Sequence, residues 1–354
     1  MKLIKIKKII QIIEKEFPLC YSEDFDNVGL LIGSYENIVN GILITLDITN
    51  KVIEESIYKN CNLIITFHPI LFKKINKIIY ENNKIIFDCI KNDISIYCIH
   101  TNLENYKNLT NKFIFNKLKL INKKILIPKK KIFKKMVTYV PNDYLEKIRY
   151  KLFEAGAGKI GNYKECSFTF KGIYSFKKKY KLNFKKETCI NVIFYSHLEE
   201  KIKKTLLKYH PYTEVSYEIF NLENNVNIGN GLIGYLEKPI KDIIFLDFLK
   251  KKLSLKIIRH SKILNKKIIK ISLLCGSGKF AINIAKKKKS DVFISSDFKY
   301  HDFFIKDILI IDIGHYESEN YIKKNLFIFL NKKLNFYKKK IHISEINTNP
   351  IFYF

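Results

Sequence analysis

The chain has 354 residues, more than the ~250–300 a single hydrophobic core usually serves, so two or more domains are expected. Its hydrophobic share of 47% excludes a disordered protein. No uncharged apolar run nears the ~20 residues that span a bilayer, which excludes a membrane-crossing helix. The net charge of +30, from 64 basic and 34 acidic residues, has two readings: a footprint for nucleic acid or membrane, or AT-rich codon usage. Trp is absent, Gly and Pro are scarce, and the excess is mostly Lys spread evenly along the chain. That pattern favours codon bias and argues against specific nucleic-acid recognition.

The opening MKLIKIKKIIQIIEKEF is basic and apolar like a signal peptide. Lys5, Lys7 and Lys8 interrupt its apolar core, however, while Ile6, Ile9, Ile10, Ile13 and Phe17 recur at helical spacing. An amphipathic helix is expected. Residues 41–47 read as a strand, 51–60 as a helix, 62–67 as a strand stopped by His68 and Pro69, and 94–99 as a strand ending at His100. Apolar runs alternating with helical segments point to a sheet covered on both faces.

Residues 122–135 are charged and contain Pro128, which reads as a boundary. From Met136 to about Asn225 the texture is strand–helix–strands–helix–strand, a small α+β insert of ferredoxin-like type. The first texture then resumes, with strands expected at 268–274, 291–296 and 307–313. The expected fold is therefore α/β: a discontinuous core of sheet plus helices in residues 1–130 and 228–354, with the insert in 131–227. Gly276-Ser277-Gly278-Lys279 lacks the frame of a phosphate-binding loop and reads as a tight strand-to-helix turn. The seven scattered Cys, with no C-x-x-C pair, fit free thiols in a reducing cytoplasm.

Several apolar runs end in a group able to bind metal or move a proton: His68, His100, Asp297 and His315, with Glu104 just past His100. Ligands collect beyond the carboxyl ends of strands in open α/β sheets. Imidazole with carboxylate suits zinc, iron or manganese. His315 and Glu319 are four apart, as are His100 and Glu104, and on a helix each pair shares a face. Singly, each His is more often a packed or surface residue than a ligand; together they leave a metal site and a structural role both open.

Asp26-Asn27-Val28-Gly29-Leu30, LITLDIT at 43–49, IITFHPILF at 64–72, IHTNLE at 99–104, SSDFKYHD at 295–302, IDIGHYESE at 311–319 and the closing NTNPIFYF resemble, in order, the signature blocks of the GTP cyclohydrolase I type 2 (Nif-three-like, dinuclear metal centre) family. FEAGAGKIGNYKECSF at 153–168 and HPYTEVSYEI at 210–219 resemble the insert of its long members. The resemblance implies a two-metal site with His68, Glu104, His315 and Glu319 as ligands, and ring assemblies of identical subunits, often hexamers. It implies a divalent-metal-binding hydrolase acting on a nucleotide, with His100 or His301 as acid/base. Lys299 and His301 read as contacts to a phosphate or a proton shuttle, and equally as parts of a structured loop, and His210 is expected in a structural role. Two positions depart from the family pattern. Phe67 stands where the family has the first His of a His-His-Pro block, and Glu104 stands where its bridging acid is usually Asp. One ion or two is therefore open, since two-metal hydrolysis needs both ions held ~3.5–4 Å apart. The competing reading is a non-enzymatic ring-shaped scaffold for nucleic acid or protein partners.

Overall fold

The structure is a computed structural model that describes residues 3–72, 75–224, 227–334 and 340–354. The chain divides into two compact units, Met1–Pro128 with Asn227–Phe354, and Lys129–Val226.

The larger unit holds two sheets rather than one. The first has the strand order Gly29–Ile32, Ser95–Cys98, Leu63–Thr66, Ile42–Thr45, Ile341–Ile343. All neighbours are parallel except the Gly29–Ile32 edge. The second has the order Arg259–His260, Leu309–Asp312, Val292–Ser296, Lys267–Ser277, Gly229–Lys241, Ile121–Pro128, with a parallel centre and antiparallel flanks. Alternating apolar runs and helices look alike whether they build one sheet or two, which is why the sequence pattern suggested a single one. The central strands of the first sheet are buried along their whole length, as both-faced burial of parallel sheet requires.

The halves of this unit exchange strands. Ile341–Ile343 completes the first sheet beside Ile42–Thr45, and Ile121–Pro128 forms an edge of the second beside Gly229–Lys241. The Lys-rich stretch at 122–135, expected as a boundary, therefore lies mostly in strand. An edge strand tolerates Lys123 and Lys124 because their side chains reach water, and only Leu126 is buried there. The opening helix, Ile6–Glu16, buries Ile6, Ile9, Ile10 and Ile13 in the first core cluster, together with Leu326 and Leu330 of the helix Ile322–Lys333. Helix Asn50–Tyr58 begins where the Thr49 side chain accepts a hydrogen bond from the Val52 amide. No helix among the described residues is long and apolar enough to cross a membrane.

The smaller unit runs strand Phe133–Pro141, helix Leu145–Ala155, hairpin Ser167–Lys178 and Lys181–Tyr195, helix Glu199–Tyr209, strand Tyr217–Leu222. Its four strands are antiparallel, with both the hairpin and the last strand joined to the sheet through the first. One face of the sheet packs Met136, Val140, Ile190, Val192 and Phe194 on Ile148 and Leu152 of one helix and Ile202 and Leu206 of the other. Gly156 closes the first helix at φ +113°, a left-handed position that suits glycine. His210 is structural: its Nε2 meets the Tyr139 carbonyl at 3.0 Å, and its Nδ1 accepts from the Tyr212 amide at 3.1 Å.

Phe194 is fully buried in this small core. Phe194→Ala is expected to cost ~3–5 kcal/mol. Calorimetry should show one of two melting transitions moved down while metal uptake by the larger unit stays unchanged. A uniform shift of both transitions would show that the units melt as one.

Candidate metal centre

The larger unit brings strand ends of its two sheets to one place. Leu63–Thr66 of the first sheet leads into Phe67 and His68, and Ser95–Cys98 into His100. Leu309–Asp312 of the second leads, through Gly314 at φ +85°, into the one-turn helix His315–Glu319. That helix puts His315 and Glu319 one above the other. The ligand atoms of His68, His315 and Glu319 all lie within 4.8 Å of one another. Glu319 Oε2 is 3.1 Å from His68 Nε2 and 3.0 Å from His315 Nε2.

Each imidazole is held from behind by an aspartate. His68 Nδ1 is 2.7 Å from Asp47 Oδ1, and His315 Nδ1 is 2.7 Å from Asp297 Oδ2. Asp297 takes a left-handed backbone conformation, φ +61°, which Asp tolerates better than most residues. A carboxylate on Nδ1 fixes the tautomer and turns Nε2 toward the centre, the usual support of a metal-binding histidine. His100 is built the same way. Its Nδ1 is 3.0 Å from Asp26 Oδ1, and Asp26 Oδ2 accepts from the Thr101 amide and hydroxyl. Its ring centroid is 5.3 Å from that of His68.

Glu104 lies on the helix Thr101–Lys107, buried, outside the three-residue group but close enough to interact electrostatically with Glu319, His68 and His315. Asn230 approaches its Oε2 at 3.4 Å, and Asn111 approaches Asn230 Oδ1 at 3.5 Å. Phe67 is fully buried, edge-on to the His100 ring at 5.2 Å. It belongs to the first core cluster and offers no lone pair. His301 is exposed on the turn Tyr300–Phe304 and packs on the Tyr300 and Phe304 rings; the structure does not bring it into the three-residue group. Lys299 is exposed beside it. The Gly276-Ser277-Gly278-Lys279 segment ends the strand Lys267–Ser277 and leads to helix Ile282–Lys287. Gly276 has φ +72°, and a Cβ there would lie 2.4 Å from Glu319 Oε1, so this turn makes room for the carboxylate.

The electrostatics suit a site for a cation. Burial lowers the pKa of His68, but Asp47 and Glu319 outweigh it and carry the ring up to about 9. Burial likewise opposes charge on His315, and Asp297 and Glu319 raise it to about 11. Burial raises Glu319, but the two imidazoles dominate and hold its carboxyl below the usual range. Glu104, buried without so close a cation, is pushed up. His68 Nε2 and Glu319 Oε2 are buried with no aligned hydrogen-bond partner, although their separation is short. Two buried polar atoms that face each other without a proper hydrogen bond are what an ion between them would satisfy. The donor set of two imidazoles and a carboxylate fits zinc, iron or manganese.

The aspartates behind the histidines were not singled out as supports from sequence. The available signal was that Asp47 and Asp297 follow strands, as the histidines do, and that a ligating imidazole needs its second nitrogen held.

A family model described as Duf34/NIF3 (NGG1p interacting factor 3) matches residues 4–350. A Bacillus subtilis protein named GTP cyclohydrolase 1 type 2 homolog is 32% identical over 368 aligned positions, covering 99% of this chain and 98% of that protein. A Staphylococcus epidermidis protein of the same name is 30% identical, covering 99% and 100%. Among solved structures, a Bacillus cereus protein related to NIF3 superposes with TM-score 0.84 at 33% identity, and a Staphylococcus aureus protein with TM-score 0.80 at 27%, each covering 100% of both chains. With two interlocked sheets, an insert and an imidazole–carboxylate cluster at the strand ends, the chain belongs to the DUF34/NIF3 family.

Glu319→Gln keeps size and removes the charge that faces both imidazoles. Metal affinity is expected to fall by more than the ~10–100-fold typical of losing an outer support. Glu317→Gln, on the same helix, keeps an oxygen that can accept from Asn349 and should lower affinity far less. Equal affinities for the two variants would remove this helix from the site.

Both imidazoles carry protons near neutral pH because their pKa values are raised, and an ion requires them neutral. Zinc uptake at pH 7 should therefore release protons, and apparent affinity should rise with pH, more steeply below about 9, where both rings must lose a proton, and less steeply from there toward about 11. Calorimetry in buffers of different ionisation enthalpy reads the proton count; heats that do not depend on buffer would contradict these charge states.

Proposed function

We propose that this chain is a divalent-metal-binding hydrolase-like protein acting on a nucleotide, with His68, His315 and Glu319 as metal ligands and Glu104 beside them. The observation that carries the reading is the convergence of three ligand atoms on one point, with His68 Nε2 and Glu319 Oε2 buried and unsatisfied. The name shared by the B. subtilis and S. epidermidis relatives supports GTP as the substrate to test first. A bound divalent ion supplies Lewis acidity and a more reactive water. The chain's own residues do the rest. Asp47 and Asp297 hold the two ligand rings, and Phe67 walls the centre against bulk water. His100, held at Nδ1 by Asp26, has its other nitrogen left to carry a proton beside His68. His301, on its exposed turn, is assigned a second proton-transfer or phosphate-contacting role. The same reading includes a homo-oligomer, a hexamer by family resemblance, and a cytoplasmic location. The order and pairing of the insert's elements support a ferredoxin-like α+β domain.

Phe67 leaves this side of the centre one imidazole short of a His-His pair. Purified protein is expected to retain fewer than two equivalents of metal after dialysis, and the metal-loaded chain to open GTP slowly. His315→Ala should abolish both. Two full equivalents by elemental analysis would overturn the one-ion reading. Metal retention without turnover of any nucleotide would remove the hydrolase assignment.

One observation favours the second reading, a non-enzymatic scaffold. Phe168 and Phe170 are exposed on the insert's sheet. In register they oppose Asn191 and Cys189, which alternate with the helix-facing Ile190 and Val192. Apolar side chains left open in this way suit a partner. A steep salt slope in nucleic-acid binding would distinguish a polyanion from a protein as that partner.

A further inference from the structure

We propose that Thr348 is a positioning residue for the metal centre, and that segment Asn347–Tyr353 clips its two ligand-bearing parts together. This rests on the reading of His68, His315 and Glu319 as metal ligands.

The chain of contacts starts at a ligand. His68 Nδ1 is 2.7 Å from Asp47 Oδ1, and the Thr348 hydroxyl donates to Asp47 Oδ2 at 2.5 Å across 301 positions of sequence. Both oxygens of Asp47 are thereby engaged, one on the ring and one on the strap. An aspartate carboxylate is otherwise free to turn, because its terminal torsion is broad. With Oδ2 released, Asp47 keeps a single contact to the imidazole and no longer sets the ring plane. The cost is borne at Nε2, which must stay within reach of an ion shared with Glu319.

The next residue grips the other side. Asn349 Nδ2 donates to Glu317 Oε1 at 3.1 Å, and Glu317 lies on the helix that carries His315 and Glu319. Tyr353 closes over the same place, since a Cβ on Gly314 would meet Glu317 Oε2 at 2.2 Å and the Tyr353 hydroxyl at 3.3 Å. Two adjacent side chains of one segment thus hold Asp47, behind the ligand from the first sheet, and Glu317, beside the ligands from the second. The segment is anchored upstream, where the strand Ile341–Ile343 joins the first sheet and the Ser344 hydroxyl donates to Glu55 Oε2 at 2.5 Å. A half-buried threonine on a surface segment carries little of the core, so its removal should touch the centre rather than the fold.

The test is zinc affinity of the full chain, by competition with a chromophoric chelator, beside thermal melting. Thr348→Val should weaken zinc binding by about 10–100-fold, the usual cost of losing an outer support. Thr348→Ser, which keeps the hydroxyl, should bind nearly as the unaltered chain does. In an Asp47→Ala background, Thr348→Val should cost nothing further, because Thr348 acts through Asp47. Should Thr348→Val fail to fold, Thr348→Ala is read in its place. Unchanged affinity in Thr348→Val, equal weakness in Thr348→Ser, or additive losses in the double variant would each overturn the proposal. If the unaltered chain takes up no zinc, the ligand reading itself fails and the strap falls with it. If the unaltered chain binds and Thr348→Val binds equally, the strap alone is wrong.

Discussion

A carboxylate with 1% of its side chain exposed, between two imidazoles from different sheets, is the constraint on which the larger unit turns. Burying Glu319 as a free anion would be prohibitive, and only close positive charge makes it tolerable. That charge comes from His68 at the end of a first-sheet strand and His315 at the end of a second-sheet strand. Each imidazole is in turn stabilised by an aspartate on its far nitrogen. The strand ends must therefore meet at a fixed separation, and the glycines at 276 and 314 serve that meeting. At both, an added Cβ would strike a glutamate oxygen. Packing alone does not explain so many charges in one place. A divalent cation at the centre would take over the positive charge that the two imidazoles otherwise carry as protons.

The surrounding hydrogen bonds show how sequence blocks become geometry. In His100-Thr101-Asn102, the histidine and threonine side chains both bind Asp26, and the asparagine Oδ1 accepts from the His100 amide at 3.0 Å while its amide nitrogen reaches the Phe17 carbonyl at 2.9 Å. Three consecutive side chains thus tie the loop to the N-terminal part of the chain. Asn111 does the same for the second sheet, where its Oδ1 accepts from the Cys275 amide at 2.8 Å. Thr101, Asn102 and Asn111 are short polar residues on helices, and the two asparagines supply partners to backbone groups of Phe17, His100 and Cys275.

The elements were legible from local pattern because their causes are local. The opening helix follows from Ile6, Ile9, Ile10 and Ile13, and the four-residue spacing of His315 and Glu319 becomes a shared face once a helical turn forms. What sequence pattern did not carry was pairing across distance. Asp47 is 21 positions from His68, Asp26 is 74 from His100, and Thr348 is 301 from Asp47, so no window on the sequence contains both partners. The second sheet escaped for the same reason. Strand Ile121–Pro128 is disguised by four successive exposed residues at its start, and it is a strand only because Gly229–Lys241 lies beside it.

The exchange of edge strands sets an order on synthesis. Ile42–Thr45 waits for Ile341–Ile343, so the first sheet cannot gain that strand until some three hundred further residues have been made. Ile121–Pro128 waits, less long, for Gly229–Lys241. Among the described residues the strands of the insert between them pair within its own ninety-odd residues, by nearer contacts. Contacts close in sequence form sooner than distant ones. During translation the segment that interrupts the core is thus placed to be native first, and the core's N-terminal half to stand longest with one sheet edge open.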